Sequence, residues 1–402
     1  MLHYVKRFFA LLCAMLACAP SAAAAQRGPG LHAALQRDLD RYLSARSKIE
    51  HVSAISLSIS LHGQAQNINV TAGTTKYGGA GGAVTPAQLW QIGSNTKSFT
   101  AAAILQLEAQ GVLTIDQTVG RWLPQYPAWK NVTIRRLLNM TSGIPGYDFV
   151  PQMLADYARD PMRDFTPAEL IAYVYPDHPG APKPTTGFDY SNTNYLLAEL
   201  IVERATHHSY ASEIEHRFLH SNLGLTSTYY SGTHYPPDVL DRMVSGYFFN
   251  HGADDYGMAP LIGKDVSRYS VSWTRGAGSI VSTPQDLTRW ARALYTGPML
   301  APKQRAELLS IVSMKSGKPI ATTSLGDPHG FGLGVAQITT PETGTIWFYK
   351  GLTLGYRVLH LYFPRQDAVI AFGLNSQPDP KQDDSMQLAL TIYQTLRSAG
   401  RI

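Results

Sequence analysis

Ser94 and Lys97, in the run Trp90-Gln91-Ile92-Gly93-Ser94-Asn95-Thr96-Lys97-Ser98-Phe99, have the residue types and spacing that point most directly to chemistry. Residues three apart on a helix share a face, about one turn from each other. The apolar stretch Ala101-Ala102-Ala103-Ile104-Leu105 reads as the continuation of a buried helix, with Ser94 in its first turn. At a helix start, free N–H groups and the positive end of the dipole face the serine. A serine hydroxyl becomes a nucleophile when a neighbouring base takes its proton. A lysine kept from water can be that base. The pair therefore predicts a serine acyl-transfer enzyme.

Tyr190-Ser191-Asn192 precedes a second helical stretch, with Asn192 or Thr193 as its cap. Such a loop can aim short polar side chains into a cleft. Tyr190 is a candidate proton carrier if a cation steadies its phenolate, and Asn192 a candidate holder of a substrate amide or of the lysine. On its own, the segment reads equally as a tyrosine packed beside a capping asparagine. Other candidates are weaker. His216 and His220 stand four apart but lack the glutamate of a His-Glu-x-x-His site and read as packed or solvated. His207-His208 reads as a polar helix end. No Gly-x-Ser-x-Gly elbow and no glycine-rich phosphate loop occurs. No metal or cofactor is implied.

The elements that must position these residues fall into two groups. Leu31 to about Ser47 is an amphipathic helix, and Ala54 to Leu61 alternates at period two, a strand with one buried face; a partner strand follows near Asn67 to Ala72. Val358 to Phe363 and Ala368 to Leu374 form an expected hairpin around Pro364-Arg365-Gln366-Asp367, and Ser385 to Leu396 a closing helix. Both ends thus feed one antiparallel sheet layer, about 31–75 and 340–402. Between them, Thr133 to Leu138, Thr166 to Tyr173, Thr193 to Thr206 and Pro284 to Tyr295 read as helices of an inserted lobe, about 88–335. The expected class is α+β: a sheet flanked by helices, with Ser94 at the seam between sheet and lobe, where ligands favour clefts.

The chain has 402 residues, 44% hydrophobic and 16% charged, enough for one large domain and unlike a disordered chain. Its net charge of +5 comes from scattered Lys and Arg without the basic, aromatic-laced runs of a nucleic-acid surface. Lys6 and Arg7, the apolar stretch Phe8 to Ala17 and Ser21-Ala22-Ala23-Ala24-Ala25 read as a cleavable signal over residues 1–25, too short to serve as a span. Both cysteines, Cys13 and Cys18, lie within it. A lipid-anchored alternative through Cys18 has a weak flanking sequence. The expected mature protein, 26–402, is one catalytic domain without disulfides, periplasmic or secreted.

Taken together, these segments resemble the serine β-lactamase and penicillin-binding protein superfamily, and more narrowly its class C β-lactamase, D-Ala-D-Ala carboxypeptidase and family VIII esterase branch. The resemblance runs from about Ser53 to Leu374. It includes Gly93-Ser94-Asn95-Thr96-Lys97, Tyr190-Ser191-Asn192, the stretch Asn131 to Pro145 and the stretch Gly276 to Pro284. It implies Ser94 as nucleophile, Lys97 and Tyr190 as proton acceptors, and an oxyanion hole from the N–H groups of Ser94 and Leu352. The third family element, Lys-Thr-Gly or His-Thr-Gly, is best matched by Tyr349-Lys350-Gly351-Leu352, with Gly351 on the family glycine. Tyr349 then stands where a cation belongs, and Lys350 points to the opposite face unless a one-residue bulge returns it. The implied activity is a D-Ala-D-Ala carboxypeptidase-like peptidase on D-amino-acid peptides. A carboxylesterase, a class C-like β-lactamase and a non-catalytic peptidoglycan or partner binder are the alternatives. Tyr147, Trp273 and Tyr356 are left between pocket and core.

Overall fold

Leu35, Leu39 and Tyr42 recur at helical spacing, and in the computed structural model, which describes residues 30–178 and 180–402, they are buried on one side of helix α1 (Leu31–Glu50). The helix stops where His51 adopts a left-handed conformation, φ 53°. The expected leader, residues 1–25, lies outside the described residues. Among the described residues no helix is long and apolar enough to cross a membrane.

Among the described residues the main sheet has nine antiparallel strands: β1 (Ala54–Ser60), β2 (Ile68–Gly73), β3 (Ile311–Ser313), β4 (Pro319–Ile320), β5 (His329–Phe331), β6 (Ala336–Thr340), β7 (Gly344–Leu352), β8 (Arg357–Phe363) and β9 (Ala368–Leu374). Their spatial order is β2-β1-β9-β8-β7-β6-β5-β3-β4. The two ends of the chain meet in it, with Ile55 opposite Leu374. The sheet also takes in β3 to β5, from a region the sequence assigns to the helical lobe. Strands of two or three residues are too short to display an alternation. The lobe therefore gives way to the sheet at Ile311, not near residue 340.

β1 departs from expectation in a second way, because all seven of its residues are buried. Its serines do not face water. Ser58 accepts from Asn67 and Ser60 from Arg292, beneath helix α4 (Pro284–Tyr295). The alternation separates a face filled by small hydrogen-bonded side chains from one filled by Ile55, Leu57 and Ile59. Helix α5 (Ser385–Ser398) packs against α1.

A buried ionic cluster ties this layer together. The Arg357 guanidinium lies 2.7 Å from both the Glu50 and the Asp383 carboxylates, and Lys350 also pairs with Asp383. Tyr42 donates to Glu50 at 2.8 Å. Burial alone would raise the Asp383 pKa, but the Lys350 and Arg357 charges hold it below the usual carboxylate range. Removing one member leaves its partners charged and uncompensated, so Arg357→Met is expected to cost about 3–5 kcal/mol, read as a lower urea midpoint at pH 7. A depressed folded pKa gives stability above the ordinary carboxylate pKa that is lost as pH falls toward the folded value. The gap between wild type and variant should therefore narrow in acid.

In the lobe, helix α2 (Thr96–Ala109) is buried over nearly its whole length and packs against helix α3 (Thr193–Thr206). A three-stranded sheet of Trp90–Gln91, Ile280–Ser282 and Thr228–Tyr230 leads the chain into α2. β7 runs beside that entry.

Candidate active site

Gly93, Ser94 and Asn95 form one tight turn immediately before α2, and its shape depends on close approach to β7. A Cβ on Gly351 would lie 1.8 Å from the Ile92 carbonyl oxygen, and one on Gly93, whose φ is 51°, would lie 2.7 Å from the Leu352 nitrogen. Glycine is required at both positions. The contact brings the Leu352 main chain alongside Ser94.

Asn95 locks the turn from below. Its Nδ2 donates to the Ile92 carbonyl at 2.7 Å and to the Val358 carbonyl at 3.0 Å. Its Oδ1 must therefore accept, and does so from His360 Nδ1 at 2.7 Å. That fixes His360 Nε2 as the acceptor for the Tyr295 hydroxyl at 3.0 Å. Burial lowers the His360 pKa to about 3, so the ring is neutral. No spacing in the sequence links these three residues.

Lys97 Nζ lies 3.0 Å from Ser94 Oγ, as the one-turn spacing predicts, and donates to the Ala277 carbonyl at 2.8 Å. It sits 5.0 Å from the centre of the Tyr190 ring. Burial pulls its pKa from 10.5 down to about 7, against the opposing pull of the Asp148 carboxylate. Tyr190 is hydrogen-bonded to Ser94 and, at 3.2 Å, to Tyr349. Burial drives the Tyr190 pKa upward in spite of those bonds. It is a neutral phenol at ordinary pH, able to accept one proton while donating another. Of the two, Lys97 is the group whose titration near neutral pH could supply a base.

The alternatives at the third element separate cleanly. Register runs without a bulge through Tyr349 opposite His360 and Lys350 opposite Leu359. Tyr349 faces the cleft, while the Lys350 side chain reaches Asp383 on the other face. Of the two side chains, the one that meets Tyr190 is therefore Tyr349, and the Lys350 ammonium is engaged by Asp383.

Asn192 occupies the N-cap position of α3 without capping it; its Nδ2 donates instead to Asp148 Oδ2 at 2.8 Å. Asp148, 6% exposed, is the functional candidate the sequence did not reveal. It sits in the short turn Tyr147–Phe149, and no periodicity relates it to Asn192. Burial raises its carboxyl pKa, and the Lys97 charge opposes the rise. Trp273 lines the cleft, whereas Tyr147 and Tyr356 are buried and hydrogen-bonded to the carbonyls of Trp273 and Val244. One cavity thus joins Ser94, Tyr190, Asn192, Asp148, Tyr349 and Leu352. Its walls include Phe149, Phe331, Phe348 and Leu354. Among the described residues no group of three or more His, Cys, Asp or Glu could hold a metal ion.

The sequence profile of the Beta-lactamase family matches residues 39–393. Penicillin-binding protein 4* of Bacillus subtilis (strain 168) is 27% identical over 300 residues, covering 74% of this chain and 63% of that protein. The chain spans less than two thirds of the length of the curated relatives it matches first. Among solved structures, a D-stereospecific amidohydrolase from Streptomyces sp. superposes with a TM-score of 0.72 at 25% identity, over 89% of this chain and 97% of that one. D-amino acid amidase from Ochrobactrum anthropi SV3 superposes with a TM-score of 0.74 at 22% identity, over 92% and 99%. That second likeness is one of fold.

Proposed function

The chain belongs to the beta-lactamase family and has the β-lactamase/transpeptidase fold, and we propose that it hydrolyses amides or esters of D-amino acids through an acyl-enzyme on Ser94. Ser94 Oγ attacks the carbonyl carbon as its proton passes to neutral Lys97, directly or through the Tyr190 hydroxyl. The N–H groups of Ser94 and Leu352 hold the oxyanion, a role in which losing one donor typically costs about 100-fold or more. Collapse of the intermediate breaks the bond to the leaving amine or alcohol, which takes the proton back from Lys97. Water then attacks the acyl group and gives its proton to Lys97, which passes it to Ser94 Oγ as the bond to the acyl group breaks and the acid leaves.

Tyr349 is the observation that carries the choice of substrate. A carboxypeptidase substrate presents a carboxylate beside the scissile bond and needs a cation to meet it. Here that wall is the Tyr190–Tyr349 phenol pair. The one basic side chain among the described lining residues, Lys350, turns away to Asp383. An amide or ester without that carboxylate suits such a wall, and the likeness to the D-stereospecific amidohydrolase from Streptomyces sp. favours the D configuration. The carboxypeptidase expectation narrows accordingly. The test compares ammonia release from D-phenylalaninamide with D-alanine release from N-acetyl-D-alanyl-D-alanine. We expect kcat/KM for the amide to exceed that for the dipeptide by about 100-fold. The reverse ranking would restore the carboxypeptidase reading.

A further inference from the structure

The hydrogen bond between Asn192 and Asp148 leaves a particular pair of atoms unused. A carboxylate only accepts, so Asn192 must turn its Nδ2 toward Asp148 and its Oδ1 away. Asn192 Oδ1 and Asp148 Oδ1 are both buried, and neither meets a donor from another residue, the Asp148 carboxylate being approached otherwise by its own backbone N–H. Gln377 Oε1, also buried without a partner, lines the same cavity. Three acceptor oxygens without a donor from another residue, one of them on a carboxylate, are costly to bury unless a ligand brings donors. An ammonium group brings three N–H donors and the matching charge.

We propose that Asp148 and Asn192 form a subsite for the α-ammonium group of the substrate, so that the enzyme acts on amino acid derivatives whose amine is free. This inference rests on the amide and ester reading above. Lys97 must be neutral to act as a base, and Asp148 then loses its nearest counter-charge; the substrate ammonium replaces it. An N-acylated substrate would bring a neutral amide with one donor to a buried carboxylate, and a substrate lacking the amine would bring none. The specificity would be that of an enzyme working from the amino end of its substrate.

The experiment measures kcat and KM for three methyl esters: D-phenylalanine, its N-acetyl derivative and 3-phenylpropionate. Wild type is expected to favour the free amine by roughly 10- to 100-fold in kcat/KM, mostly through KM, the size of a charge-assisted contact made alike in ground and transition states. In Asp148→Asn the ratio of free amine to 3-phenylpropionate should fall toward one, and in Asp148→Glu it should partly return. Equal wild-type rates on all three esters would overturn the subsite while leaving the hydrolase reading intact. A ratio unchanged in Asp148→Asn, with all three esters slowed alike, would also overturn it, since Asp148 would then be acting through Lys97. No turnover of any ester by wild type would overturn both readings. If Asp148→Asn does not fold, the wild-type ranking alone decides.

Discussion

Ser94→Ala is expected to yield a folded protein that takes up no acyl group and turns over substrate about a million-fold more slowly, the scale seen when a nucleophile is lost from a serine hydrolase. Among the described residues its Oγ bonds to Lys97 at 3.0 Å and to Tyr190, so stability should change little. Intact-mass spectrometry reads the outcome directly. With an activated D-phenylalanine ester or benzylpenicillin, wild type should gain one acyl mass and the variant none. An adduct that persists in Ser94→Ala would remove Ser94 from the chemistry.

The second large effect concerns Lys97. With its pKa lowered to about 7, Lys97 is protonated and unable to accept a proton below that pH. On an ester without an amine, such as methyl 3-phenylpropionate, kcat/KM is expected to rise with pH, turn over near 7 and stay flat above it, because burial pushes the Tyr190 phenol upward. Lys97→Met should lose that inflection and about 1000-fold or more in rate. The same burial bears on stability with a definite sign. Between pH 7 and 10.5 the unfolded chain holds a proton that the folded chain does not, so stability rises with pH across that window. The penalty of burying the lysine is complete below pH 7. Lys97→Met should therefore melt higher than wild type at neutral pH while being nearly inactive, a stability–activity trade of the kind found at strained sites. A normal rate in Lys97→Met, or an inflection that survives it, would assign the base elsewhere.

The sequence made the nucleophile legible because Ser94 and Lys97 interact within one helical turn, where spacing alone sets distance. Strands with seven-residue runs, such as Arg357–Phe363 and Ala368–Leu374, were legible for the same local reason. Tyr349 and Lys350 were not separable, since a one-residue bulge reverses their faces and only the partner strand reveals its absence. Asp148 stayed hidden because it meets Asn192 through a single hydrogen bond across the lobe. The Asn95–His360–Tyr295 chain stayed hidden because it joins a turn, a strand and a helix that no pattern connects. The buried serines of β1 show that period-two alternation can separate two interior environments and need not separate interior from water.

The staple under the nucleophile carries a consequence for the order in which the protein becomes an enzyme. Gly93, Ser94 and Asn95 leave the ribosome early, but Asn95 is held by the Val358 carbonyl and His360, and the turn rests against Gly351 and Leu352. β8 in turn needs β9, which pairs with β1 from near the other end of the chain. Closing so long a loop is slow, and no part of it is rewarded until the last strands exist. A nascent chain, or one cut short before β8, carries the complete Ser-x-x-Lys motif without a site. Hydrolysis is thus expected only once β8 and β9 have joined the sheet, and their pairing acts as the step that arms the site.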